Sequence, residues 1–235
     1  MIMDRRAVQA FEKMPQKSKE HYMVNESIKK LLSIASAPLA FSHDAEGLLP
    51  KSLDCELLNE LYWMLDVKNG FFAFESALHV FPRVECDGIL TLKRWNENGA
   101  WKNEYDSLIP NGMVFFAQDA FGNQFGIDPT GVSIFYSEFA EIEPIAKNLN
   151  EWAELILNDW QGLTGYDLCH EWQVRNRSLR EGERLIPKIP FVLGGKYTLD
   201  NLYVGDILKA QRFRGSLSRQ IVDAPDGTKI DLKVL

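Results

Sequence analysis

The chain has little of what covalent, redox or metal chemistry needs. Its three cysteines, Cys55, Cys86 and Cys169, are widely spaced, form no CxxC and have no adjacent set of histidines. An odd, scattered set excludes a disulfide framework and a zinc finger, and reads as buried small hydrophobes in a reducing compartment. The four histidines, His21, His43, His79 and His170, are also scattered. His170-Glu171 begins an HExxH pattern, but position 174 is Val174, so the second ligand is missing and no metal site is expected. Neither a GxGxxG nor a Walker A pattern occurs. Gly194-Gly195 reads as a tight turn, and Ser216 and Ser218 lack a GxSxG elbow. Cys169 and His170 are neighbours whose side chains diverge by about 100° on a helix, which disfavours a nucleophile and base pair.

Long apolar runs are absent as well. The longest stretches, such as Met113 to Ala117, fall far short of the ~20 residues that cross a bilayer. Met1 to Phe11 is interrupted by Asp4, Arg5 and Arg6 and has no apolar h-region. The chain is therefore expected to stay in the cytoplasm with no membrane span. What it does have is 235 residues of 46% hydrophobic and 11% aromatic content, enough to bury one substantial core. The net charge of −7 is unevenly spread. Residues 1–40 carry seven basic and four acidic side chains, residues 41–169 seven and 21, and residues 170–235 twelve and eight, for balances of +3, −14 and +4. Such a middle segment repels nucleic acid and attracts a basic partner, although a solvated acidic surface that only aids solubility has the same signature.

Periodicity divides the chain. Val24, Ile28, Leu31, Leu32 and Ala35 share one helical face, predicting a helix over about Gln16 to Ser36, and Leu57, Leu58, Leu61, Met64 and Leu65 predict another over about Leu53 to Val67, closed at Asn69-Gly70. From Gly70 the pattern becomes extended, with short apolar runs separated by Asn111-Gly112, Gly122-Asn123 and Pro129-Thr130-Gly131, the spacing of an antiparallel meander. Trp152, Leu155 and Ile156 predict an amphipathic helix capped by Asn150. Beyond it are expected a helix near Thr164 to Asn176, a strand at Ile189 to Leu193, a segment at Leu202 to Val204, a helix at about Asp206 to Val222 and a last strand at Lys229 to Val234. The order predicts an α+β fold, a central twisted, mainly antiparallel sheet flanked by helices.

The series Leu49-Pro50, a helix ending in Asn69-Gly70, strands, the stretch Phe115-Phe116-Ala117-Gln118-Asp119-Ala120-Phe121-Gly122, and a late helix with Trp152 resembles the SUKH superfamily over about residues 48–160. The stretches Ile189 to Tyr203, Arg212-Phe213-Arg214 and Asp226 to Lys229 look like the C-terminal extension of bacterial members. The resemblance implies a helical segment at 1–47, a SUKH-like core at 48–160 and an extension at 161–235 packed on that core as one structural domain. It implies a bacterial immunity protein, not an enzyme, that neutralises a cognate, nucleic-acid-targeting toxin by occluding its active site. The alternative is a regulatory scaffold or adaptor without a toxin partner, the role described for fungal relatives. No cofactor and no catalytic motif come with either.

The binding residues are read from the sequence itself. Glu138, Glu141 and Glu143 follow an expected strand, and alternation puts Glu141 and Glu143 on one face of an acidic ridge. Asp119 and Trp101 are expected on or beside the same partner-binding surface. Trp95, Trp101 and Tyr105 stand in a polar stretch, either as interface anchors or buried under their own loop. Asp119 and Asp128 are either a carboxylate pair or, as favoured, two turn-forming Asx residues. Arg212, Arg214 and Arg219 are too few for a nucleic-acid stripe and are expected to pair with the acidic middle segment, docking the tail helix.

Overall fold

The structure, a computed structural model, describes residues 25–40, 56–83 and 90–222, together with 224, 225, 228 and 230. Within them lie helix α1 (Glu26–Ile34), helix α2 (Glu56–Val67), and strands β1 (Phe71–Ala73) and β2 (Leu78–Val80). Helix α3 (Leu92–Asn96) and strands β3 (Val114–Gln118), β4 (Gln124–Asp128), β5 (Gly131–Tyr136) and β6 (Glu141–Ala146) come next. Helices α4 (Leu149–Asn158), α5 (Trp160–Thr164) and α6 (Tyr166–Arg175) follow, then strands β7 (Glu183–Pro187) and β8 (Leu202–Asp206) and helix α7 (Ile207–Ile221). The first ten or so residues of the first expected helix lie outside the described residues, as does nearly all of the expected last strand.

Six strands form one antiparallel sheet in the order β1-β2-β3-β4-β5-β6, the expected meander, and β7 and β8 form a separate ribbon. The fold is α+β. Strands β3 to β5 are buried on both faces, which is why their sequences read as continuous apolar runs instead of an alternation. On one face Trp152 of α4 packs edge-on against Phe116 and Phe125, with α1 and α2 alongside. On the other, Phe115 and Phe135 meet Trp101 and Tyr105 at ring separations of 5.0 to 6.3 Å, and Trp95 continues the layer to Phe81. A polar chain threads the aromatics: Trp95 Nε1 donates to Gln124 Oε1 at 2.8 Å, Gln124 Nε2 to Gln118 Oε1 at 3.3 Å, and Gln118 Nε2 lies 3.1 Å from His79 Nδ1. Burial, reinforced by the charge of Arg184, drives the His79 pKa well below its ordinary value and keeps the ring neutral.

Two expectations need correction. Asn148, not Asn150, caps α4, accepting from Glu151 N at 2.9 Å, while Glu151 Oε2 accepts from Lys147 N. Asn150 instead caps α1 from across the interface, its Oδ1 accepting from Ser27 N at 3.0 Å and Ile28 N at 3.4 Å. The strand expected at Ile189 to Leu193 is a short 3-10 turn at Phe191–Leu193, and the strand of that region is β7, whose Glu183 and Arg184 hid it from an apolar count.

Candidate partner-binding surface

The acidic stretch is divided by the β3–β4 and β5–β6 turns, both of which point to one end of the sheet. In the first, Asp119 Oδ1 accepts from Phe121 N at 2.9 Å and Asn123 N at 2.8 Å, and its Oδ2 from Asn123 Nδ2 at 2.8 Å. This is the Asx turn favoured on sequence grounds. Asp128 makes the next one, accepting from Thr130 N at 2.7 Å. Gly122, with φ +85°, brings its backbone against α7. A Cβ there would run into the Ile207 side chain of α7, so the position takes glycine for both conformation and space.

The freed Gly122 carbonyl gathers Gln124 Nε2, Ser137 Oγ and Gln211 Nε2 as donors. The Tyr105 hydroxyl, 2.8 Å from the Ser137 carbonyl, closes the network from the loop side. Glu138 sits in this network, not on the surface. Its Oε1 lies 3.5 Å from Arg214 Nη2 of α7, and its Oε2 accepts from Phe191 N at 2.6 Å. Ser218 Oγ reaches the Glu138 carbonyl at 3.2 Å. Burial pushes the Asp119 pKa up to about 6, opposed by the hydrogen bonds from Asn123 and Phe121 and by the charge of Arg214. These groups hold α7 and the segment 190–193 against the end of the sheet.

The sequence-derived binding set therefore separates. Trp101 is 1% exposed, donates its Nε1 to the Trp95 carbonyl at 2.9 Å and belongs to the aromatic core, because its polar loop lies flat on the sheet with the tryptophan turned beneath it. It is not available as a surface anchor. Asp119 at 4% and Glu138 at 5% are likewise inside. Glu141 and Glu143 are exposed on β6, the edge strand, where Glu143 Oε2 accepts from the Tyr136 hydroxyl at 3.0 Å. Among the described residues no cation pairs with either. With Pro144, which has no N–H to offer, they also obstruct unwanted strand pairing at that edge.

Two of the three tail arginines pair with acidic residues as expected, whereas Arg212 holds backbone carbonyls instead. Arg214 pairs with Glu138, Arg219 Nη2 lies 3.3 Å from Glu104, and Arg212 Nε donates to the Ala100 carbonyl at 2.6 Å. The catalytic candidates do not converge. Asp119 and Asp128 stand at opposite ends of β4, His170 Nδ1 lies 2.7 Å from Glu75 on the β1–β2 hairpin, and Cys169 is buried with its thiol pKa raised to about 12. No cluster of three or more metal-ligating side chains occurs among the described residues, and none of their helices is long and apolar enough to cross a membrane. Sequence reading missed Tyr197, 57% exposed and stacked on Phe191 at 3.8 Å, and Phe139, 40% exposed in the β5–β6 turn. Large aromatics in Gly- and Glu-bounded turns were the available signal.

Comparison with known proteins agrees with this architecture. Residues 49–155 match the SMI1/KNR4 family (SUKH-1). A solved structure, Atu4351 from Agrobacterium tumefaciens, superposes with a TM-score of 0.55 at 14% identity, covering 82% of this chain and 89% of that one, a likeness of fold. No curated protein matches the chain.

Proposed function

We propose, from the match of residues 49–155 to the SMI1/KNR4 family (SUKH-1), that this chain is a non-enzymatic immunity protein of the SUKH superfamily that binds a basic, nucleic-acid-targeting toxin and occludes its active site. The observation that carries this reading is the acidic edge. Glu141 and Glu143 stand exposed on β6 without a cationic partner among the described residues, whereas Asp119 and Glu138 are consumed by internal hydrogen bonds. A toxin that grips nucleic acid presents a basic groove, and carboxylates can occupy phosphate positions there through charge-assisted hydrogen bonds. Opposite potentials also accelerate capture.

The test is genetic and direct. The reading expects the adjacent frame to encode a toxin domain whose expression arrests growth, and co-expression of this chain to restore it. Failure to restore growth against that toxin contradicts the reading. The SMI1/KNR4 match supports a second reading, a regulatory scaffold. It predicts retrieval of several endogenous proteins from native extract, where an immunity protein retrieves one.

A further inference from the structure

The acidic edge does not stand alone at its end of the sheet. Tyr136, which closes β5, lies opposite Glu141 in the register of β6 and donates its hydroxyl to Glu143. The turn that follows carries Glu138 inward to the backbone N–H of Phe191 and leaves Phe139, the next residue, 40% exposed. Phe191 in turn supports Tyr197: the two rings are parallel within 8° at 3.8 Å, and Phe121 meets both edge-on at 5.8 and 5.9 Å. Tyr197 is thus held by half-buried Phe191 and buried Phe121 while 57% of it faces solvent. One ring face is taken by Phe191, and more than half of the residue remains accessible. The ionisation of Tyr136 is disfavoured by burial and by Glu143, with smaller contributions from Asp119 and Tyr197.

We infer that the partner surface is composite: β6 supplies Glu141 and Glu143, the β5–β6 turn supplies Phe139, the C-terminal part supplies Tyr197, and together they seat an arginine side chain of a basic protein partner. The inference deepens the partner-binding reading above and rests on it. A guanidinium is the group that uses all of these features. It is planar, stacks on an aromatic ring, and pairs with carboxylate oxygens through fixed N–H donors. A rigidly held, exposed tyrosine also costs little conformational entropy on binding, and tyrosine is enriched among interface hot spots. Lys196, the neighbour of Tyr197 in the chain, is exposed, and Arg175 and Glu171 of α6 line the same shallow pocket as Tyr197. Because Tyr197 and Phe191 lie beyond residue 155, part of the recognition comes from outside the segment that matches the family.

The full chain, isotopically labelled, is titrated with a blocked hexa-arginine peptide and with the hexa-citrulline peptide, which keeps the shape and loses the charge. The proposal expects saturable backbone shifts at residues 136–143 and 196–198 with hexa-arginine and none with hexa-citrulline. Tyr197→Ala should weaken the dissociation constant about threefold or more, the size of an exposed cation–π contact, and Tyr197→Phe should restore it. A circular-dichroism melt unchanged by Tyr197→Ala shows that the fold is intact, and Tyr197→Phe carries the test if it is not. The double variant Glu141→Gln with Glu143→Gln should weaken binding further. Shifts confined to β6 with no effect of Tyr197→Ala overturn the composite seat and leave the acidic edge standing. Shifts around Tyr197 that survive the double variant overturn it from the other side. Growth rescue of toxin-expressing cells combined with no localised shift overturns the seat while the immunity reading stands.

Discussion

Glu138 and Glu141 are three residues apart, carry the same charge and lead opposite lives. Glu138 lies at the mouth of the β5–β6 turn, where the chain reverses beneath α7, so its carboxylate is surrounded by the Arg214 guanidinium and the N–H of Phe191. Glu141 has passed the turn onto an edge strand whose outer side is open, and it meets water. The same division separates Asp119 from Glu143. Charge counted along a sequence sums the two kinds, and only the second creates an external field. The −14 of residues 41–169 therefore overstates what a partner experiences, since Asp119 and Glu138 are both spent inside.

The comparison can be broken most severely in the core that supports it. Trp101→Ala should cost about 3–5 kcal/mol in chemical denaturation, since it opens a cavity among Tyr105, Phe115 and Phe135. A loss as small as that of a surface residue would return Trp101 to the surface role first expected of it. Next in size is the buried pair. Glu138→Leu should destabilise by about 3 kcal/mol, because it strands the Arg214 guanidinium, and adding Arg214→Met should recover part of that loss. A double-variant loss equal to the sum of the two single-variant losses would show that the pair is not coupled.

A third prediction concerns protons. Asp119, with its pKa raised from 3.8 to about 6 chiefly by burial, holds its proton more tightly when folded than unfolded. Its contribution to stability is accordingly full below about pH 4 and is lost as pH rises through about 6. Carboxyl NMR should find its midpoint near 6, and Asp119→Asn should remove that part of the pH dependence of denaturation. A midpoint at or below 3.8 contradicts burial as the dominant cause. The smallest effect is expected at the surface: Glu141→Gln with Glu143→Gln should move Tm by about 1 °C or less.

Much of this was legible in the sequence, and the reasons for the exceptions are local. The stripe of Leu57, Leu61 and Met64 announced α2, and Asn111-Gly112 and Gly122-Asn123 announced the ends of β3 and β4, because helix periodicity and turn chemistry are properties of neighbours in sequence. The pairing of Arg214 and Arg219 with acidic residues followed from composition alone. Trp101 misled because its neighbours Asn98, Gly99, Lys102 and Asn103 are polar, and nothing local records that the loop lies on the sheet. Glu138 misled because its burial is imposed by α7 and by Phe191, far along the chain. Asn150 caps a helix more than a hundred residues away, which no window of sequence contains.

The central claim, that inner carboxylates hold the fold while outer ones meet the partner, is tested most directly by association kinetics with the purified toxin domain at several salt concentrations. For the Glu141→Gln, Glu143→Gln double variant the account predicts slower association, a shallower dependence on salt and unchanged folding. Association that is unaffected both by the two substitutions and by added salt would contradict it.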